Sequence, residues 1–167
     1  MHVGLIGLGR MGFNMGRRWL RGGHVVVAYN RTFEKTKELA THGAAAVTDL
    51  PDLMEFLPAP RVVWLMLPAG QLVDDHIEQL AELLAPGDLL VDGANGHFRD
   101  AVRRAEKLAA KSVGFIDAGV SGGIWGATRG YCLMLGGEAS AVARQTPVLR
   151  DLAPGRGEQA PPPGLAA

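Results

Sequence analysis

Six residues near the start of the chain, Gly7-Leu8-Gly9-Arg10-Met11-Gly12, restrict its fold more than any other stretch. They have the spacing G-x-G-x-x-G and follow an apolar run at 2–6. They open a segment, 11–20, in which Met11, Met15, Trp19 and Leu20 recur at helical intervals before Gly22-Gly23 ends it. In a strand-loop-helix unit the first glycine permits a tight turn, the second lets the backbone approach a pyrophosphate, and the third lets helix pack against strand. The anion would face the unpaired N–H groups at the helix N-terminus. A ligand-free connector can have the same letters, so the surrounding pattern of elements carries the reading.

That pattern continues along the chain. Residues 24–29 (HVVVAY) form a β-branched strand and 33–40 a charged helix; 44–47 is a short strand, Pro51 opens a helix through 57, and 61–67 is a fully apolar strand. Residues 71–84 place Leu72, Val73, Ile77, Leu80, Leu83 and Leu84 on one helical face; 88–91 is another buried strand and 97–110 a helix with i, i+4 charges. Strands at 115–117 and 131–135 flank a glycine-rich turn, and 138–149 is a last helix. Strands alternating with helices predict an α/β fold, a doubly wound parallel sheet of the Rossmann type, over residues 1–153. Residues 154–167 lose all periodicity, include three consecutive prolines and predict a disordered tail.

The discriminating position for a dinucleotide is the end of the second strand, where an acidic residue usually receives the 2′-hydroxyl of NAD. Here it is Asn30-Arg31-Thr32. An amide, a guanidinium and a hydroxyl are donors that can surround a 2′-phosphate, with Arg31 supplying the charge, so NADP is favoured over NAD. A turn cap at Asn30 with a solvated Arg31 is the alternative.

Composition limits partners and place. At 167 residues the chain fits one domain of about 100 to 200. Seventeen Lys and Arg balance seventeen Asp and Glu, and no basic patch stands out, which argues against nucleic acid as a partner. Cys132 is the one cysteine, so neither an internal disulfide nor a multi-cysteine metal site is expected, and a reducing interior suits the chain. No window approaches the ~18 apolar residues of a membrane span, and Met1 leads directly into a core strand, so a cytoplasmic protein without a membrane partner is expected. The five histidines lack metal spacing and read as surface or cap residues; Trp64 reads as core, and Trp125 as either packing or the border of a cleft. Gly119-Val120-Ser121-Gly122-Gly123 fits the nucleophile elbow G-x-S-x-G, but that fold needs a histidine after the serine and none follows.

Three further segments, LPAGQLVDD at 67–75, DGANGHFRD at 92–100 and VSGGIWGATRGYCLMLGG at 120–137, complete a resemblance. With the glycine loop and the Asn30 triplet, they make the chain resemble the decarboxylating 6-phosphogluconate dehydrogenases, especially their short bacterial form, within the β-hydroxyacid dehydrogenases. The resemblance spans residues 1 to about 153. It implies that Gly7, Leu8, Gly9, Arg10, Met11 and Gly12 hold the pyrophosphate, Asn30, Arg31 and Thr32 the 2′-phosphate, and Leu67, Pro68 and Ala69 lie beside the cofactor. It implies that Asn95 touches both nicotinamide ribose and substrate, and that Ser121, Gly122 and Gly123 bind a phosphorylated sugar acid. In such enzymes NADP takes hydride from C3 of 6-phosphogluconate, and the 3-keto acid loses carbon dioxide to give ribulose 5-phosphate, a step of the pentose phosphate pathway.

There are departures. The family's Gly-Asn-Ser step is Ala94-Asn95-Gly96 here, so a hydroxyl that could order the loop is missing. The family places its catalytic lysine, a His-Asn pair and a glutamate on a helix just beyond this domain, ahead of an all-helical dimerisation domain. This chain has no lysine after Lys111, no histidine after His97, and no acid beyond Glu138 except Asp151 and Glu158. No catalytic residue is therefore expected within it, and the chain alone is expected to be inactive, either half of an oxidoreductase or a non-catalytic NADP-binding module or remnant, with another β-hydroxyacid dehydrogenase acting on a smaller acid as a third alternative. The proline-rich tail reads as a frame-shifted remnant. Without the helical domain, Val142, Val148, Leu149 and Leu152 of the last helix are expected to be partly exposed and to drive weak self-association.

Overall fold

The computed structural model describes residues 1–155, so twelve of the fourteen tail positions predicted to be disordered lie outside the described residues. The chain alternates strand and helix from its first residues: β1 (His2–Ile6), α1 (Arg10–Arg21), β2 (Val25–Tyr29), α2 (Phe33–Ala40), β3 (Ala45–Val47), α3 (Leu50–Glu55) and β4 (Val62–Leu65). It continues with α4 (Gln71–Leu83), β5 (Leu89–Asp92), α5 (Phe98–Ala109), β6 (Gly114–Ser121), a single turn α6 (Gly126–Arg129), β7 (Cys132–Gly137), α7 (Ala139–Arg144) and α8 (Thr146–Leu152). The strands form one sheet in the order β3-β2-β1-β4-β5-β6-β7. It is a Rossmann-type α/β sheet, with the order reversing between β1 and β4.

The register puts the strand ends in line. Ile6 pairs with Tyr29 on one side and Leu65 on the other, Leu65 with Asp92, and Asp92 with Asp117. Loops leaving β1, β2, β4 and β5 therefore emerge side by side from one edge, while β6 runs four residues past that line to Ser121. This is the carboxyl edge, where open α/β sheets bind ligands.

Each sheet face has its own core. On one, Val3, Leu5, Trp64, Val91 and Ile116 pack against Met15 and Trp19 of α1, Leu39 of α2, and Val148 and Leu152 of α8. On the other, Ile6, Val27, Val63, Leu65 and Leu90 meet Leu53 of α3, Val73, Ile77 and Leu80 of α4, and Leu108 of α5. Trp19 and Trp64 meet edge to face with ring centroids 5.3 Å apart, a geometry that contributes about 0.5–1.5 kcal/mol beyond burial.

Four expectations change. The sheet is parallel only through β6; β7 pairs with β6 antiparallel. Only residues 122–131 join them, short of the dozen or more that a parallel crossover needs. β6 is longer than 115–117 because Ile116, Ala118 and Val120 alternate with Asp117 and Gly119, small or polar residues that hide the pattern. The last helix breaks at Gln145, since Pro147 has no N–H to donate and would clash one turn back. Finally, Val148 and Leu152 are fully buried, and Val142 and Leu149 partly so. Trp19 Nε1 donates to the Val148 carbonyl at 3.0 Å, and Arg18 caps the end of α8 by donating to the carbonyls of Asp151 and Ala153. The most exposed of the large apolar side chains are elsewhere, at Phe56 after α3, Phe98 and Val102 of α5, Met134 of β7, and Ile124 and Trp125 near the site. No helix among the described residues is long and apolar enough to cross a membrane.

Candidate functional site

The loop after β1 is built around its glycines. Gly7 has φ +95°, and a Cβ there would stand 2.5 Å from the Met66 carbonyl oxygen. At Gly12 a Cβ would collide with the Gly7 carbonyl oxygen and reach Met66 Cβ at 3.0 Å. These two positions need glycine for the fold alone. Gly9 differs: no atom lies within 4 Å of where its Cβ would be. A small residue facing open space at the N-cap of α1, with no side chain capping the helix and no acid in its first turn, leaves a cradle for an anion.

The strand-end triplet is tied to that loop. Asn30 Oδ1 accepts from the Leu8 amide at 2.9 Å, and its Nδ2 donates to the Thr32 carbonyl at 3.0 Å, so Asn30 shapes the pocket from inside. Arg31 has no carboxylate partner among the described residues, and Thr32, the N-cap of α2, makes no side-chain capping bond. Both line a cleft of about 230 Å³ with Gly7, Gly9, Leu67 and Pro68. Leu72 and His76 of α4 form its outer wall. Leu72, expected on the buried face, is 38% exposed, because the first turn of α4 projects past the strand ends. His76 escaped the sequence reading, which had only its lack of metal spacing to go on. Ala69 does not line this cleft.

A second cleft of about 420 Å³ adjoins the first at Gly9 and is lined by Leu8, Arg10, Phe13, Asn14, Lys35, Glu38 and Ile124. The side chain of Met11 packs into the core. Ile124 arrives from the segment that follows β6. There Ser121 is the exposed last strand residue, Gly122 and Gly123 take φ +151° and +51°, and a 3-10 turn at Gly123–Trp125 leaves Trp125 62% exposed, with the Arg129 guanidinium 5.3 Å from its ring centroid. Ile124 thus brings the segment that follows Ser121–Gly123 to the edge of the glycine loop.

Asn95 joins β5 to β6. It sits at φ +57°, and its carboxamide clasps one residue twice: Nδ2 donates to the Val120 carbonyl at 2.9 Å, and Oδ1 accepts from the Val120 amide at 2.8 Å. The clasp holds the loop after β5 against the residue preceding Ser121. Behind this loop lies a buried ion cluster that the sequence did not reveal. Arg104 donates to Asp92 at 2.9 Å and to Asp74 at 2.8 Å, and Arg103 reaches Asp74 and Asp100 from outside. The bond from Arg104 holds the Asp74 carboxyl below its ordinary range against the opposing effect of burial. Burial works against the Arg104 charge, but Asp74 and Asp92 outweigh it. Asp117 moves the other way, pushed up by burial and then by the neighbouring Asp92 charge.

Histidine placement is mixed. His97 Nδ1 accepts from the Arg99 amide as a helix cap, whereas His24, expected at the surface, is buried between the Met1 amine and Asp151. Among the described residues no group of three or more His, Cys, Asp or Glu could hold a metal ion.

Comparison with known proteins follows the same lines. Residues 2–157 match the family model for the NAD binding domain of 6-phosphogluconate dehydrogenase. The NAD(+)-dependent, decarboxylating 6-phosphogluconate dehydrogenase of Haloferax volcanii is 42% identical over 155 residues, which cover 93% of this chain and 51% of that protein. Among solved structures, the Plasmodium falciparum 6-phosphogluconate dehydrogenase, studied with NADP+ and with 6-phosphogluconate, superposes with a TM-score of 0.87 at 30% identity over 95% of this chain and 35% of the other. The Mycobacterium tuberculosis 3-hydroxyisobutyrate dehydrogenase gives 0.84 at 29% identity over 91% and 52%. The chain spans between a third and a half of the length of the curated relatives it matches.

Proposed function

Since this chain belongs to the family of 6-phosphogluconate dehydrogenase NAD-binding domains, we propose that it is the NADP-holding half of a decarboxylating sugar-acid dehydrogenase. The open space at Gly9, between the unpaired N–H groups of α1 and the cleft that Arg31 and Thr32 line, is the observation that carries this reading. A dinucleotide fits that run of surface: pyrophosphate at Leu8–Gly12, adenosine between Arg31 and the Leu72 and His76 wall, and nicotinamide toward Leu67, Pro68 and Asn95. Arg31 supports NADP over NAD because it offers a guanidinium that no carboxylate among the described residues neutralises. The Haloferax relative, named as NAD(+)-dependent, makes the cofactor choice a property to be measured on this chain.

The substrate end would be Ser121, Gly122, Gly123 and Asn95, with a phosphorylated sugar acid as ligand and ribulose 5-phosphate as product. NADP, when bound, accepts the hydride. This chain's residues bind and orient: the loop amides anchor the pyrophosphate, and Asn95 keeps the β5 loop against β6 so that cofactor and sugar meet across it. The base that takes a hydroxyl proton and the acid that returns one are not found among the described site residues, so proton transfer falls to groups supplied from outside them. The 42% identity to the Haloferax 6-phosphogluconate dehydrogenase supports 6-phosphogluconate over a smaller hydroxy acid.

Titration of the chain and of Arg31→Ala with NADP and NAD tests this reading. The parent should prefer NADP by about tenfold or more, the effect of losing one charge-assisted contact, and Arg31→Ala should erase the preference. An unchanged ratio would remove Arg31 from the pocket.

A further inference from the structure

Arg104 lines neither cleft, yet its guanidinium ties the start of α4, which walls the first cleft, to the loop after β5. It is only 2% exposed at the side chain, within α5. Nη1 donates to Asp92 Oδ2 at 2.9 Å, Nε donates to Asp74 Oδ1 at 2.8 Å, and Nη2 lies 3.5 Å from the Gly70 carbonyl oxygen. Asp92 ends β5, and its other oxygen accepts from the Ala94 amide at 3.0 Å, which shapes the turn into Asn95. Asn95 in turn clasps Val120, next to Ser121. Gly70 and Asp74 belong to the start of α4, which follows Leu67–Pro68 and carries Leu72 and His76. A Cβ on Gly96 would stand 3.3 Å from Nη1, so the guanidinium backs directly onto the loop after β5.

We propose that Arg104 is a positioning residue, fixing the 67–70 and 93–96 loops relative to one another and thereby setting dinucleotide affinity without touching the ligand. The inference rests on the dinucleotide site proposed above. The residue type matters: a planar fork addresses Asp92, Asp74 and Gly70 from separate nitrogens, whereas a lysine ammonium is one point and keeps only the charge. A buried carboxylate, Asp92, and a partly buried one, Asp74, held by one guanidinium have few alternative arrangements, which couples the positions of the two loops.

The test is affinity for NADP and for NAD, measured on the full chain for the parent, Arg104→Lys and Asp92→Asn, with hydrogen exchange on each. Both variants should remain folded and bind the two cofactors more weakly by the same factor, about tenfold, within the range that groups coupled in one network span. Equal loss separates this role from that of Arg31, whose removal should change the ratio. Exchange should rise at 67–70 and 93–96 and stay unchanged within β1 and β4, which a general loss of stability would not produce. A folded Arg104→Lys with parental affinities, or one that loses NADP alone, overturns the proposal. Should Arg104→Lys fail to fold, Asp92→Asn decides, and parental affinity there overturns it equally. Failure of both to fold assigns the cluster to the fold and also overturns it. A parent chain that binds neither cofactor removes the site itself, and this inference with it.

Discussion

Gly9→Ala adds one methyl group where the backbone, at φ −65° and ψ −178°, suits any residue and where no atom lies within 4 Å. Nothing in the fold has to move. Two small effects on stability oppose each other: restricting the unfolded chain adds about 0.4–1 kcal/mol, while alanine is a poorer N-cap than glycine. The thermal midpoint should stay within about 2–4 °C of the parent, the shift that ~1 kcal/mol gives in a chain of this size. Binding responds differently, because the methyl occupies the space between loop and pyrophosphate. Holding a phosphate oxygen ~1 Å further out breaks at least one charge-assisted hydrogen bond, worth about 1.5–3 kcal/mol, or roughly 10- to 150-fold in affinity. Gly12→Ala is the contrasting control, since its Cβ collides with the Gly7 carbonyl and would force α1 away from β1. Thermal unfolding and calorimetric titration with NADP read both effects. A Gly9→Ala chain that binds NADP like the parent would refute the placement of the pyrophosphate, and one that unfolds as early as Gly12→Ala would refute the account of the loop.

Two other residues give independent checks. Asp88 is buried and accepts from the Arg61 and Ala85 amides at 2.6 and 2.9 Å and from the Arg61 guanidinium at 3.2 Å; Asp88→Ala should cost about 3–5 kcal/mol in denaturant unfolding, as breaking a buried pair does, and a loss below ~1 kcal/mol would contradict the bonding described. Asp117 has a folded pKa raised above its ordinary 3.8, so the folded state holds its proton more tightly and its contribution to stability is lost as pH rises through the folded value. Asp117→Asn should therefore unfold at a higher temperature than the parent at neutral pH, with the gap closing below about pH 3.8; a gap that widens on acidification would reverse the sign.

What the sequence made legible was the part governed by local rules. The glycine loop could be read because Gly7 and Gly12 meet backbone that only glycine tolerates, and α2 appeared at 33–40 as expected because its spacing is regular. Leu72 misled because helical periodicity cannot tell a core face from a turn that overhangs the sheet edge. β6 was under-read because Asp117 and Gly119 interrupt the apolar signal, though they alternate correctly with Ile116, Ala118 and Val120. The burial of His24 and the Arg104 cluster depend on contacts between 12 and 127 residues apart in sequence, which no local pattern records.

The central claim is that a dinucleotide lies across the carboxyl edge of this sheet, with its pyrophosphate on the loop after β1. Amide chemical shifts of the labelled chain, followed through a titration with NADP, test it most directly. The largest changes are expected at Leu8–Gly12 and Asn30–Thr32, with smaller ones at Leu67 and 94–95, and little at α7 or α8. Saturable changes centred on another face, or none at millimolar NADP, would contradict it.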